Sequence, residues 1–407
     1  MNTRDAAQLL LLAGKSVLLA GAPGTGKTRE ARELARRMTG VEPETIVGRG
    51  DLGYEDLLYR YEPSPSGYKL VLGPLAVSVI SSWIRIFHGL TPVWLLFDEI
   101  NRFNAEVVLG DLFLVLDLEH RKSKEVVPQS VMMEVLKNSS LLEEVKRKAL
   151  GGLEEELEFG DASKTLRRVL ECFPNGLPLP YSWRALATMN LIDRAHLFRL
   201  GFALLRRFPL ILYPRFGDSF NPALNIESLE EGSQKFDSRV LEVVKKFLTS
   251  EESLKMALKE LSLCYEKCPW DRVLSSVRLA ERRVSKVSFT SVIEAISTVV
   301  AGLLKVGVDV GYALLLDVRK ILVIASLLGR SMERYQDESF LADVVISSLL
   351  LPQIGGIAPA VKADIVLTGR SARLEKLKEL VDYIVSLLGE KSMSAYYMEA
   401  LRLELPL

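Results

Sequence analysis

The chain has 407 residues, 48% of them apolar and 26% charged, with a formal net charge of zero. That length allows two or three domains with ample core. The balanced charge excludes a protein that coats polyanions through a global basic excess, though it leaves a local patch open. Cys172, Cys264 and Cys268 make no disulfide framework, which fits a reducing cytoplasm. Cys264 and Cys268 are read as two buried thiols rather than metal ligands.

In chain order, residues 3–13 read as a short helix, and no signal peptide is visible in "MNTRDAAQLLLLAGKS". "SVLLA" (16–20) is a continuous apolar run, the pattern of a buried parallel strand. "TREARELARRM" (28–38) is helical. "VWLLF" (93–97), "RALATM" (184–189) and "PLILY" (209–213) are three further buried strands. Strands alternating with helices predict an α/β fold with a Rossmann-like parallel sheet over 1–216. Residues 121–176, charged and rich in Leu, Glu and Lys, read as an insertion of two or three helices. Residues 217–235 are polar and turn-rich, the pattern of a linker. From 236 to 407 helical patterns follow one another, predicting an all-α lid domain. The apolar stretches 287–304 and 344–361 carry Glu294, and Pro352 with Gly355-Gly356, so they read as buried helices rather than membrane spans.

Four places carry chemistry. "GAPGTGKT" (21–28) lies between a strand and a helix and matches G-x-x-x-x-G-K-[ST]. Gly21, Gly24 and Gly26 would let the loop, with Ala22, Pro23 and Thr25 between them, turn its backbone N–H groups toward phosphate oxygens. Lys27 would hold the β- and γ-phosphates, and Thr28 would ligate Mg²⁺. The strand "VWLLF" delivers Asp98 and Glu99 to its C-terminal end, where open α/β sheets bind ligands. Asp98 is placed to organise Mg²⁺ through water, and Glu99 to orient and deprotonate an attacking water. Asn190, at the end of the neighbouring strand, offers an amide that can donate to phosphate and accept from water. Arg206 and Arg207 follow a short helix; a charge of that kind can stabilise the transition state at the next subunit's phosphate.

The order of these segments resembles an AAA+ ATPase, within it the dynein-related group, and most closely the McrB-type motor subunits of restriction systems. The residues are "GYEDLLYRY" (53–61), "GYKLVLGPL" (67–75), "FDEINRFNAEVVLGDLFLVLD" (97–117), "LPLPYSWRALATMNLIDR" (177–194) and "FALLRRF" (202–208). MoxR-type proteins share DEINR, but Thr188-Met189-Asn190 and Leu205-Arg206-Arg207-Phe208 are closer to the McrB side. The resemblance implies Asn190 as sensor 1, and Arg206 or Arg207 as an arginine finger in a hexameric ring.

The resemblance further implies a Mg²⁺-dependent hydrolase of ATP or GTP that cooperates with a separate effector such as a nuclease subunit. Nucleic acid would be reached through that partner. The McrB pattern Met-Asn-Thr-Ala-Asp-Arg, associated with guanine preference, is here Met189-Asn190-Leu191-Ile192-Asp193-Arg194, so ATP is the expected nucleotide. The DNA-reading domain that precedes such motors is expected to be missing. A MoxR-like chaperone and a slow nucleotide-gated switch are the other two functions in view. Arg319 is a candidate second sensor, set against an exposed helical arginine. Arg278, Arg282, Arg283 and Lys286 form a basic face, set against simple solvation. The 121–176 insertion is expected either to touch substrate or to hang free at the surface.

Overall fold

The computed structural model describes residues 3–65, 67–151, 162–191, 202–214, 219–264, 289–329, 332–368 and 371–402. The basic face at 278–286, Cys268 and the segment Asp193-Arg194 lie outside them. The strands are β1 (Val17–Gly21), β2 (Glu44–Val47), β3 (Tyr59–Ser64), β4 (Gly67–Leu72), β5 (Leu95–Asp98), β6 (Glu125–Pro128), β7 (Gly176–Pro178), β8 (Ala185–Asn190) and β9 (Leu210–Leu212). Five form a sheet in the order β2-β5-β8-β1-β9. β2 pairs β5, β5 pairs β8 and β1 pairs β9, each in parallel. The four expected strands are present. The fifth, β2, is "ETIV", with Glu44 and Thr45 half-buried and Val47 56% exposed, so no apolar run announces it. Two antiparallel pairs, β3 with β4 and β6 with β7, were also not anticipated.

The chain divides into two compact units. One comprises Gly26–Met189 with Ser262–Val273. Its helix Pro74–Phe87 is buried nearly all round, because β2, β5 and β6 lie against it and so do the helices Ser139–Leu150 and Ala162–Cys172. The described part of the insertion therefore does not hang free. It contributes these two helices and Gln129–Lys137, and it is fastened to Pro74–Phe87 by polar groups as well as apolar ones. Ser81 donates to the Val145 carbonyl at 2.9 Å, and just past the insertion the Trp83 indole donates to the Pro178 carbonyl at 2.7 Å. Arg85, 2% exposed, donates to the carbonyls of Thr39, Thr91 and Ala149. Burial pulls its pKa down to about 10. Thr39 ends the helix Lys27–Thr39, so Arg85 closes orphan acceptors at the C-terminus of that helix. Arg121, fully buried, donates to the carbonyls of Val115, Leu116, Pro180, Tyr181 and Trp183. It thereby ties the end of the helix Ala105–Leu116 to the chain that enters β8.

The other unit comprises Met1–Thr25, Asn190–Leu261 and Leu274–Leu407. It holds β1, β9 and the helix Thr3–Leu12. All its described elements after β9 are helical. The segment expected as a linker carries a helix, Ile226–Lys235, started by Asn225, whose side chain accepts from the N–H groups of Glu227 and Ser228. Gly232 within it faces Tyr383 and Thr298, where a Cβ would lie 2.4 Å from the Tyr383 hydroxyl. The helix Thr290–Val306 is buried along most of its length, as expected for the first apolar stretch. In the second, a continuous helical run Glu338–Gly356 is apolar and long enough to span a membrane, and 83% of that stretch is buried inside the protein.

This unit also holds a largely buried charged cluster. Asp317 accepts from Lys15 and from Lys320, both at 2.7 Å, and Lys320 reaches Glu260 at 2.8 Å. Burial opposes ionisation of Asp317, but Lys15 and Lys320 outweigh it and hold its carboxyl at about 2, below the ordinary 3.8. The contribution of this carboxylate to stability is therefore complete above pH ~4 and lost as pH falls toward 2. Asp317→Ala would leave two buried ammonium groups facing one carboxylate and should cost about 3–5 kcal/mol. A lowered thermal midpoint at pH 7 checks this; an unchanged midpoint would show that the cluster adds nothing.

Candidate nucleotide site

β1 runs buried into Gly21, which packs so closely on β9 that a Cβ would meet the Tyr213 Cβ at 2.8 Å. Beyond it the chain turns through Gly24 (φ 75°) and Gly26 (φ 85°), left-handed positions that favour glycine. Ala22, Pro23 and Thr25 complete the turn, and the Thr25 hydroxyl donates to the Ala22 carbonyl at 2.8 Å. The helix Lys27–Thr39 then starts at Gly26 with no side chain capping its first N–H groups. Those donors and the positive end of the helix dipole suit an anion.

Within the unit that begins at Gly26, three of the expected residues meet. The Thr28 hydroxyl donates to Asp98 Oδ1 at 2.7 Å. With its proton committed there, the Thr28 oxygen keeps its lone pairs for a cation, while Asp98 retains Oδ2. Lys27 is 6% exposed. Burial lowers its pKa, partly offset by the charges of Asp98 and Glu99. These residues fit Mg²⁺ with a triphosphate: a hydroxyl and a carboxylate are hard oxygen donors, and the ammonium group lies beside them.

Glu99 is the one non-glycine residue with positive φ among the described residues (φ 56°, ψ 55°). That conformation costs about 1–2 kcal/mol and persists only where the surroundings enforce it. Here they do. The Glu99 N–H donates to the Thr188 hydroxyl at 3.0 Å, and its carbonyl accepts from the Arg102 N–H at 3.0 Å. Gly48, just past β2, donates its N–H to the Asp98 carbonyl at 2.7 Å. A Cβ on Gly48 would lie 2.2 Å from the Glu99 carbonyl oxygen. The Glu99 carboxylate pairs with Arg102 Nε at 2.5 Å.

Asn190 is half-buried as the last residue of β8. Arg206 and Arg207 end the helix Phe202–Arg207. Arg207 is half-buried and donates to the Ala203 carbonyl at 3.1 Å. Arg206 is exposed and makes no hydrogen bond or ion pair with the described residues. Arg319, in the helix Tyr312–Leu328, is half-buried rather than exposed, and its Nε is buried with no hydrogen-bond partner among the described residues.

Thr188 and Gly48 were not singled out from the sequence. The signal for Thr188 is one hydroxyl in the otherwise apolar run "ALATM". For Gly48 it is a glycine just beyond a strand that was itself overlooked.

A parallel sheet whose first strand feeds a glycine turn and a Lys-Thr helix start, with an acid pair at the end of a second strand, defines a P-loop NTPase. Residues 16–208 match the AAA domain of the dynein-related subfamily, and this part of the chain is an AAA domain of that kind. The chain is 28% identical over 120 residues to the EcoKMcrB subunit of the type IV methyl-directed restriction enzyme of Escherichia coli K12. That alignment covers 28% of this chain and 25% of the relative, so the chain spans about a quarter of the curated protein it matches. A crystal structure of a candidate ATPase from Cytophaga hutchinsonii aligns over 85% of this chain and 79% of its own, at 15% identity and a TM-score of 0.34.

Lys27→Met keeps the apolar stem and removes an ammonium group whose charge burial disfavours, so it should leave the folding stability within about 1 kcal/mol of the parent. The same substitution should abolish the rise in thermal midpoint that ATP and Mg²⁺ give the parent. A nucleotide-dependent rise that survives in the variant would contradict the placement of phosphate at Lys27.

Proposed function

We propose that the protein is an ATP-hydrolysing motor subunit that works as a ring, with a site completed by the neighbouring subunit. The observation that carries this reading is the Thr28–Asp98 hydrogen bond beside a buried Lys27 and a braced Glu99. The loop Gly21–Gly26 would wrap the phosphates, and Lys27 would neutralise the terminal pair. Thr28 and Asp98 would hold Mg²⁺, which would supply charge neutralisation at the phosphates. Glu99, released from Arg102, would take the proton from an attacking water that the Asn190 amide helps to orient. ATP is preferred to GTP in this reading, because Leu191-Ile192 replace the segment associated with guanine preference in McrB-type proteins.

Arg206 is the better of the two arginines for a finger acting on the next subunit. It is exposed, whereas Arg207 is turned back onto its own helix. A finger supplied from outside makes activity depend on assembly, which a closed hexamer would satisfy. The similarity to a restriction subunit supports a separate effector chain, such as a nuclease, as the partner, with nucleic acid reached through it. The setting proposed is the cytoplasm.

An Arg206→Ala variant and a Lys27→Ala variant should each be inactive alone. Mixed in one ring, they should recover up to about a quarter of the parental activity per subunit, because some interfaces then join an intact loop to an intact finger. Mixed rings of verified composition with no recovered turnover would count against a finger acting between subunits.

A further inference from the structure

We propose that Thr188 is a positioning residue for hydrolysis: its hydroxyl locks the acid pair Asp98-Glu99 into its working geometry. This inference rests on the nucleotide site proposed above and concerns the same reaction. Thr188 is 1% exposed in the core of β8, so its hydroxyl must find protein partners. It finds two. It donates to Asp98 Oδ1 at 2.6 Å and accepts from the Glu99 N–H at 3.0 Å.

The polarity of this pair is fixed by chemistry. An ionised carboxylate only accepts, and a backbone N–H only donates. One hydroxyl proton therefore goes to Asp98, and an oxygen lone pair is left for Glu99. The side chain of one acid and the backbone of the next are tied to a single atom.

Two consequences follow for the site. Asp98 Oδ1 accepts from the hydroxyls of Thr28 and Thr188, which favours one orientation of the carboxylate and leaves Oδ2 as the oxygen presented elsewhere. Glu99 is kept in its left-handed conformation, which determines where its carboxylate leaves the strand. Gly48 braces the same corner from β2, where its missing side chain lets the Glu99 carbonyl approach. The corner at the end of β5 is thus gripped by both strands that pair with it. An apolar residue of the same shape at 188 would fill the core equally well. The hydroxyl matters because it reaches both acids.

The test uses the full chain with Thr188→Val, Thr188→Ala and Thr188→Ser, and with Glu99→Gln as reference. Phosphate release is measured with ATP and Mg²⁺. Binding of a fluorescent ATP analogue is measured with EDTA and with Mg²⁺, and thermal midpoints are recorded for all. The expectation is that Thr188→Val and Thr188→Ala lower kcat about 10- to 100-fold, as loss of a group orienting a metal-site carboxylate does. Binding in EDTA should stay within about twofold, and Thr188→Ser should restore most of the turnover. Turnover of the Val and Ala variants near the parental rate, with Glu99→Gln inert, would overturn the role of Thr188 and leave the site standing. A Ser variant as slow as Val, or failure of both Val and Ala to fold, would assign Thr188 to packing instead. Parental turnover in Glu99→Gln would remove the site itself, and this inference with it.

Discussion

The carboxylate of Asp98 sets the geometry of the site. It stands at the end of β5, and one of its oxygens accepts hydrogen bonds from Thr28 and Thr188 together. The first of these hydroxyls opens the helix that follows the glycine turn; the second lies inside the adjacent strand. A negative group at that point could not be left without donors, since a carboxylate beside buried strands is costly unless hydrogen-bonded. Satisfying it draws the Lys27-Thr28 helix start and β8 to the same acid. Glu99 inherits its position from that arrangement: Thr188 and Gly48 enforce a backbone conformation the residue would otherwise avoid.

The same rule, that buried polar groups must be paired, fixes the surroundings. Arg85 and Arg121 are guanidinium groups spent mainly on carbonyls, so they act as knots in the chain rather than as surface charges. Arg85 joins the end of the Lys27–Thr39 helix to the inserted helices, and Arg121 fixes the approach to β8. In the other unit, Asp317 binds Lys15, which immediately precedes Ser16 and β1, to the helix Tyr312–Leu328. The strand leading into the glycine turn is thereby anchored at its start as well as along its length.

Much of this was legible in the sequence, and unevenly so. Continuous apolar runs revealed β1, β5, β8 and β9, because strands buried on both faces need such runs. The glycine-lysine-threonine spacing and the Asp98-Glu99 pair were visible because each places a charged or polar group where an apolar run ends. β2 was not legible, since a short edge strand with Glu44 half-buried and Val47 exposed carries no periodic signal. The pairs β3–β4 and β6–β7 were missed because β3 has no buried residue and holds Pro63, while β6 and β7 are short, hold Pro128 and Pro178, and are separated in the chain by the inserted helices. The helix Ile226–Lys235 was hidden in a polar stretch with two apolar residues, Ile226 and Leu229, and it is specified by the Asn225 cap and by packing around Gly232. Thr188 is the most instructive omission. A lone threonine in a strand reads as a tolerated core residue, and only the register of β8 beside β5 reveals that its hydroxyl faces the acids.

The most direct measurement is phosphate release from ATP and from GTP over a wide range of protein concentration, with Lys27→Ala as the blank. The account predicts that ATP is the better substrate, that release depends on Lys27, and that activity per subunit climbs with concentration until the particle reaches its full size. Release that persists unchanged in Lys27→Ala, or full activity in a preparation sized as a monomer, would contradict it.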